Sequence, residues 1–296
     1  MNESQFLNNM NISEPSTSQG FEITGATLKW IAIITMLIDH IGAAILEPYA
    51  EMQMMTSGAS SLWTLDMLLR GIGRLAFPIF IFLMVEGFYY THDRKKYFFR
   101  MVLFSLISEI PFDMAFQRTL SMGWSQKIPL MDFSGQNVFF TLTLGFLAIW
   151  LTDNILFLTE KKNSDGVINS EYSTEGTSEK KSSFLLVLLQ IIGIFAVVVC
   201  CCLAAEYMET DYDSIGVLAM FACYLVKKKG GNYVLMMLAP VVILILMSSS
   251  EATALVNLIF VFFYHGKKGR NINKWFFYFF YPVHLLILGI IQYLMI

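Results

Sequence analysis

The sequence predicts an all-α integral membrane protein, a polytopic bundle of about nine transmembrane helices. Of its 296 residues, 56% are hydrophobic and only 15% are charged, whereas about 25% charged residues are expected in a soluble domain. Several nearly uncharged runs approach the roughly 20 residues that a helix needs to cross the hydrocarbon core. A helix also satisfies its own backbone polar groups in lipid. The lipid bilayer is therefore the expected surrounding of this chain.

Nine apolar runs, bounded by charged or turn residues, are predicted to be the spans. The runs 212–226 and 252–265 are short for a span, so we expect them to be tilted, re-entrant or buried among their neighbours. In chain order the spans are 28–46, 74–90, 97–117, 137–158, 184–204, 212–226, 232–248, 252–265 and 276–295.

A polar segment, 159–182, divides the spans into two groups. Its Lys, Ser, Asn, Glu and Gly residues are typical of a flexible linker. We therefore expect a polar cytoplasmic tail over 1–26, a four-span half over 27–158, a flexible cytoplasmic loop over 159–182 and a five-span half over 183–296.

Basic residues are distributed very unevenly between the two sets of loops. Sixteen of the 20 Lys and Arg residues fall on one side, and only Arg70, Arg74, Arg118 and Lys127 fall on the other. Because cytoplasmic loops are rich in Lys and Arg, we expect a multi-pass plasma-membrane protein with the N-terminus in the cytoplasm and the C-terminus outside. The polar first 26 residues lack the features of a cleavable signal peptide, so the first span is the expected insertion signal.

Several function classes are disfavoured. The net charge of −3 gives no support for nucleic-acid binding. The cysteines, Cys200 to Cys202 and Cys223, lie in apolar runs, where they are expected to be small apolar residues rather than a disulfide framework or a metal site. Walker, dinucleotide-binding and HExxH motifs are absent from the sequence. We expect neither a metal nor a nucleic-acid partner.

Polar residues at membrane depth are the candidates for function, because an ionisable group there costs at least a few kcal/mol. Counted at 1.5 Å per residue, Asp39 and His40 lie about 16 to 18 Å from the inner end of the first span, and Glu109 reaches the same level in the third. Together these residues predict a polar cavity in the outer half of the bundle: Asp39, His40, Arg74, Glu109, Asn137 and His284.

Each candidate also has a purely structural interpretation. Asp39 would pair with Arg74 or another cation, and His40 would be a packing residue. Because neighbouring helical residues point about 100° apart, both must find partners on other spans. Arg74 either binds an anion or extends to the interface, and His284, after Pro282, either lines the cavity or binds backbone groups freed by the proline. The residues alone are compatible with an intramembrane enzyme, a transporter or channel, or a structural membrane component.

Several motifs resemble one known family. The first three are the most specific in combination, and the motifs together touch most of the chain outside 1–26 and 159–182: Leu28–Trp30 with Met36–Gly42 (MLIDHIG), Gly73–Pro78 (GRLAFP) with Glu86-Gly87, Thr91–Arg100 followed by Ser108–Asp113 (SEIPFD), Asn137–Leu142 (NVFFTL), Gly145, Asp211–Val217 and Tyr278–Leu285. They are similar to the TraX family, named for the protein that acetylates the amino terminus of conjugative F pilin.

The resemblance implies an acetyl-CoA-dependent acyltransferase, similar to multispan membrane acyltransferases that use a histidine of the first span. It implies His40 as general base, with Asp39 or Glu109 as a tuning partner. A neutral imidazole suits that task. The acceptor would be a peptide amine, as in pilin, or a glycan. The expected binding residues are Arg74 for an anionic part of a substrate, Asn137 and His284 at the cavity, and Arg94, Lys95, Lys96 and Arg100 for the nucleotide phosphates of acetyl-CoA.

Overall fold

The computed structural model describes residues 22–57, 62–117, 135–170, 178–270 and 273–295. Within these ranges the chain forms helices and no β-strand, which confirms the all-α prediction. The helices are α1 (Gly25–Ile41), α2 (Glu47–Ser57), α3 (Leu62–Gly73), α4 (Ala76–Tyr90), α5 (Arg94–Phe112), α6 (Val138–Ser170), α7 (Ser178–Tyr207), α8 (Asp213–Lys228), α9 (Tyr233–Met247), α10 (Asn257–Phe262) and α11 (Lys274–Met295). Gly42–Leu46 and Asp113–Gln117 are π-helical turns, and Ser249–Val256 is a 3-10 helix.

Five stretches of the described residues are long and apolar enough to cross a membrane: Gly25–Glu51, Leu62–Tyr90, Val138–Thr159, Phe184–Tyr207 and Lys274–Leu294. The protein is thus a helical membrane bundle. The predicted spans at 97–117, 212–226, 232–248 and 252–265 also coincide with helical segments. The total of nine spans stays a prediction, because these four helical segments are shorter than the five stretches above or carry more charged residues.

Two helices, α2 and α3, lie where the sequence predicted no span. Acidic and basic residues interrupt the apolar pattern there, for example Glu47 and Glu51 in α2 and Asp66 and Arg70 in α3. The two helices are nevertheless held against the bundle, since α3 packs along α1 and α2 packs on α3. Their charged residues thereby come close to the first span.

The core of the bundle lies around α4, which is surrounded by α1, α6, α8 and α9. The side chains of Ile79, Phe82, Val85 and Phe88 are completely buried in it. By contrast, α7 packs on α6 and α8 and leaves most of its apolar surface exposed. An apolar surface of this size is expected where a helix faces lipid.

Several basic residues meet at one end of the bundle. Lys227 pairs with Glu86 at the end of α4, and Arg94 and Lys228 both pair with Asp153 of α6, at 2.8 and 3.2 Å. At the same end, the backbone N–H of Gly25 donates to the carbonyl of Lys267. These contacts bring together basic residues that the charge pattern placed on one side, and we call this end the basic end.

The predicted loop 159–182 is partly helical. Helix α6 continues to Ser170 and α7 begins at Ser178. Residues 171–177 lie outside the described part of the chain, as do the tail up to residue 21, Arg118 and Lys127. The predicted boundaries of the two halves remain predictions.

Candidate functional site

A cavity of about 300 Å³ opens at the end of the bundle opposite the basic end. It lies between the end of α1, the adjoining α2, the start of α4 and the segment before α8. Three residues predicted from the sequence line it, namely Asp39, His40 and Arg74. The remaining described lining residues are Ala43, Glu47, Pro48, Glu51, Arg70, Phe112, Phe116, Asp211 and Tyr212.

His40 is paired with a second histidine from the last helix. The Nδ1 atom of His40 lies 2.7 Å from Nε2 of His284, and Nδ1 of His284 lies 2.7 Å from the carbonyl oxygen of Phe280. Because a carbonyl only accepts, Nδ1 of His284 is the donor there, and in the neutral pair its Nε2 accepts from Nδ1–H of His40. The Nε2 atom of His40 then carries a free lone pair.

His284 fits neither interpretation drawn from the sequence. It is not among the described residues that line the cavity, and the carbonyl it binds belongs to Phe280, whereas the carbonyl left without a donor by Pro282 is that of Tyr278. Its role here is to fix the tautomer of His40. Its ring is stacked on Phe280 at a centroid distance of 4.9 Å, and His40 is held edge-on by Tyr281 and Phe116 at 6.0 and 5.3 Å. The imidazole of His40 therefore has a defined orientation.

Two π-helical turns flank the cavity. The first follows His40 at Gly42–Leu46, and the second, Asp113–Gln117, follows Pro111. The amide of Gln292 donates to the carbonyl of Ala44 at 3.0 Å, which satisfies a backbone group within the first turn. Single π turns inside α-helices are frequent at functional sites. The second turn carries Phe116 to the cavity wall.

Asp39 is paired with a cation of α3. Arg70 Nη1 lies 2.8 Å from Oδ2 of Asp39, and both side chains are largely buried. A Cβ atom on Gly73 would overlap the side chain of Asp39, so the close approach of α3 to α1 requires glycine there. Asp39 is thus an ion-pair partner, as one interpretation of the sequence had it, but its partner is Arg70 and not Arg74.

Arg74 lies at the break between α3 and α4. Its Nη1 atom is 3.0 Å from Oε1 of Glu251, whose side chain is only 3% exposed. Two side chains near Glu251 stabilise this break. Thr253, in the 3-10 helix, donates to the carbonyl of Gly71 at 2.8 Å, and Asn257, at the start of α10, donates to the carbonyl of Leu75 at 3.0 Å. The guanidinium of Arg74 also contacts the Tyr212 hydroxyl.

Glu109 and Asn137 form a separate cluster. The amide of Asn137 donates to Oε2 of Glu109 and, at 2.9 Å, to the carbonyl of Ser105. Among the described residues, Oε1 of Glu109 is buried without a hydrogen-bond partner. Neither residue lines the cavity described above. The geometry therefore gives His284, rather than Asp39 or Glu109, as the residue that orients His40.

Three acidic residues besides Asp39 line the cavity, and we call them the acidic mouth: Glu47 and Glu51, one helical turn apart on α2, and Asp211 in the segment before α8. Partial desolvation at the cavity wall, together with the charge of Asp39, raises the pKa of the Asp211 carboxyl to about 6, although the residue keeps an exposed surface. The negative charge of this mouth therefore increases as the pH rises through 6.

The predicted phosphate-binding residues lie at the basic end. Arg94 and Lys95 line a shallow cavity of about 760 Å³, together with Tyr89, Tyr90 and Trp150. Arg94 is held by Asp153, whereas Lys95 is exposed. The other two predicted residues have local partners: Lys96 lies 3.3 Å from Asp93, and Arg100 lies over the ring of Tyr97 at 5.7 Å and bonds to Tyr278.

Sequence reasoning did not identify four of the residues at the site, namely Arg70, Asp211, Tyr212 and Glu251. Arg70 and Asp211 fell in predicted loops, Tyr212 began a predicted span, and Glu251 precedes a short span. The one available signal was the Asp211–Val217 motif. In the described part of the chain, no group of three or more His, Cys, Asp or Glu side chains is arranged to hold a metal ion.

Two of three comparisons with known proteins found a match. The chain is 28% identical over 275 residues to the probable fimbrial assembly protein FimC, serogroup H1, of Dichelobacter nodosus, and this match covers 92% of the chain and 96% of the relative. No solved structure matches the chain. The model of the TraX protein family matches residues 24–292. Since that match covers nearly the whole sequence, the chain belongs to the TraX family.

Proposed function

We propose that the protein is a membrane acetyltransferase that moves acetyl from acetyl-CoA to an acceptor in the His40 cavity. The observation that carries the proposal is the contact chain from His40 to His284 to the carbonyl of Phe280. It leaves Nε2 of a cavity-lining histidine as a proton acceptor of fixed tautomer. Acyl transfer to an amine or hydroxyl requires a base of this kind, which typically raises the reaction rate 10²- to 10⁴-fold.

In the proposed reaction, His40 carries one proton from the acceptor to the leaving thiolate. The neutral amine or hydroxyl of the acceptor attacks the acetyl carbonyl carbon, while Nε2 of His40 takes its proton; an ammonium acceptor first releases one proton to water at the cavity mouth. The electron pair of the C=O bond moves to oxygen and returns as the carbon–sulfur bond breaks. The leaving thiolate takes the proton from His40, so the products are the acetylated acceptor and CoA thiol. The His284 contact stabilises the imidazolium that forms, because the backbone carbonyl anchors the pair.

The donor is proposed to place its nucleotide at the basic end. The cavity there offers two cations, Arg94 and Lys95, beside the aromatic rings of Tyr89, Tyr90 and Trp150. Cations suit phosphates, and aromatic faces suit an adenine ring. Helix α5 separates this cavity from the His40 cavity, and its 19 residues are about 28 Å long. The thioester therefore has to be carried over much of this length to reach His40.

The acceptor is proposed to be a peptide amine, with a glycan hydroxyl as the other class to be tested. A cavity of about 300 Å³ suits one terminal residue rather than a folded chain. The acidic mouth formed by Glu47, Glu51 and Asp211 attracts an ammonium group and offers little to a neutral sugar. The relative named as a fimbrial assembly protein supports a pilus-related peptide. We place this acceptor side outside the plasma membrane, on the basis of the charge pattern.

The test is transfer of labelled acetyl from acetyl-CoA in membranes with and without the protein, followed by mass analysis of the labelled molecule. We expect label on an amine of a peptide. Membranes should be supplied with peptide and glycan acceptors in separate reactions. Absence of transfer, combined with solute uptake into vesicles that depends on Asp39, would replace the enzyme by a transporter.

A further inference from the structure

Tyr212 is held rigidly in the wall of the His40 cavity. Its ring is stacked on Phe77, with a centroid distance of 3.7 Å and an angle of 9° between the planes. Its backbone N–H lies 3.5 Å from the hydroxyl of Thr141. The Cβ atom of Tyr212 also lies close to Gly216, where an added Cβ would be 2.8 Å away. The ring is therefore fixed, and so is the position of its hydroxyl.

A cation contacts this hydroxyl from one side. Arg74 bonds to Tyr212 and, at 3.0 Å, to the buried carboxylate of Glu251. A guanidinium has donors and no acceptor, so Arg74 donates to the Tyr212 oxygen, and the phenolic hydrogen is left for another acceptor. A hydroxyl that accepts from a cation is also a stronger donor, because hydrogen bonds in a chain polarise one another.

Tyr212 differs from the other cavity-lining side chains that can donate a hydrogen bond. Among the described lining residues, side-chain donors are present only on His40, Arg70, Arg74 and Tyr212. His40 is the proposed base, and the two arginines face the carboxylates of Asp39 and Glu251. Tyr212 is thus the neutral donor that shares the cavity with the base.

We propose that Tyr212 is a catalytic residue that donates its O–H to the oxygen of the acetyl group as negative charge develops there. This role rests on the proposed acetyl transfer. When the acceptor attacks, the C=O electron pair moves to oxygen, and the Tyr212 hydroxyl stabilises that oxyanion without giving up its proton. Arg74 and Glu251 are positioning residues, since they act through Tyr212. This assigns Arg74 a role different from the anion binding expected from the sequence.

The test compares Tyr212→Phe with Tyr233→Phe, a matched loss of a hydroxyl at the basic end. Tyr212→Phe keeps the ring that stacks on Phe77. Removal of one oxyanion donor typically lowers kcat by about 10²- to 10³-fold. We expect a fall of this order for Tyr212→Phe, with an unchanged KM for acetyl-CoA, and wild-type kinetics for Tyr233→Phe. Thermal unfolding in detergent checks that both variants are folded.

A double variant tests the positioning role of Arg74. If Arg74 acts through Tyr212, then Arg74→Gln lowers kcat in the wild type but changes it little in the Tyr212→Phe background, because effects of coupled residues are not additive. Wild-type kcat in folded Tyr212→Phe, with His40→Ala inactive, would overturn the role of Tyr212 and leave the proposed function standing. No transfer by the wild type would remove the proposed function and this role with it.

Discussion

His40 and His284 are 244 positions apart in the sequence, and their imidazoles meet at 2.7 Å between Nδ1 and Nε2. The contact joins the first helix of the bundle to the last. It also makes the orientation of the proposed base depend on a residue that need not touch either substrate.

Replacement of His284 tests that dependence. His284→Gln loses the fixed ring-to-ring contact, so we expect the acetyl-transfer rate to fall by roughly 10- to 100-fold, less than the full contribution of a general base. His265→Gln is the control, because His265 is exposed at the basic end. The measurement is the initial rate at saturating acetyl-CoA. Equal rates for the two variants would show that His284 does not orient the base.

Gly73→Ala should disturb the ion pair between Asp39 and Arg70. The added methyl group overlaps the side chain of Asp39, so α3 must move away from α1. We expect a loss of about 1–3 kcal/mol in the free energy of unfolding, as is typical of overpacking. Gly87→Ala is a matched control in α4, since nothing lies within 4 Å of its added Cβ. Denaturant unfolding in detergent measures both, and an equally stable Gly73→Ala would contradict this packing.

The raised pKa of Asp211 predicts that the stability of the folded protein depends on pH. Its pKa is raised from 3.8 to about 6 by partial desolvation and by the charges of Asp39 and Asp213, against the charges of Arg70 and Arg74. Between these two pH values the folded state holds a proton that the unfolded state has lost, so the free energy of unfolding falls as pH rises from about 4 to 6. Melting temperatures of the wild type and Asp211→Asn, measured from pH 4.5 to 7, should show the wild type losing stability relative to the variant. A constant difference would contradict the raised pKa.

A charge reversal at Lys95 tests where acetyl-CoA binds. Lys95→Glu places a carboxylate beside the proposed nucleotide site, and repulsion of the phosphates should raise the KM for acetyl-CoA several-fold, more strongly at low salt. Lys229→Glu makes the same charge change at the basic end, outside the lining of that cavity. We expect Lys229→Glu to keep the wild-type KM. A KM unaffected by Lys95→Glu would place the donor elsewhere.

The apolar pattern was sufficient to predict the class of the protein and the helices at all nine predicted spans. It failed for α2 and α3 because Asp66 and Arg70 break any apolar run, yet these residues are buried or half-buried against α1. A charge whose partner lies on another helix looks, in sequence, like a charge in a loop.

Only part of the site was predicted, and its pairings were not. Asp39, His40 and Arg74 were expected at a cavity and line one, and His284 contacts His40. Glu109 and Asn137, which were expected at the same cavity, form a separate cluster. The partners of Asp39 and Arg74 depend on helix packing between distant segments, for which the sequence carries no local signal. The π turn at Gly42, which follows His40 directly, likewise leaves the hydrophobic pattern unchanged.

The role of His40 is tested by the rate of acetyl transfer by purified wild-type protein and by the His40→Ala variant, at equal amounts of folded protein. We expect the rate to fall at least about 10²-fold in His40→Ala, because the variant lacks the proposed general base. Equal rates for the two proteins would contradict the assignment of His40 as that base.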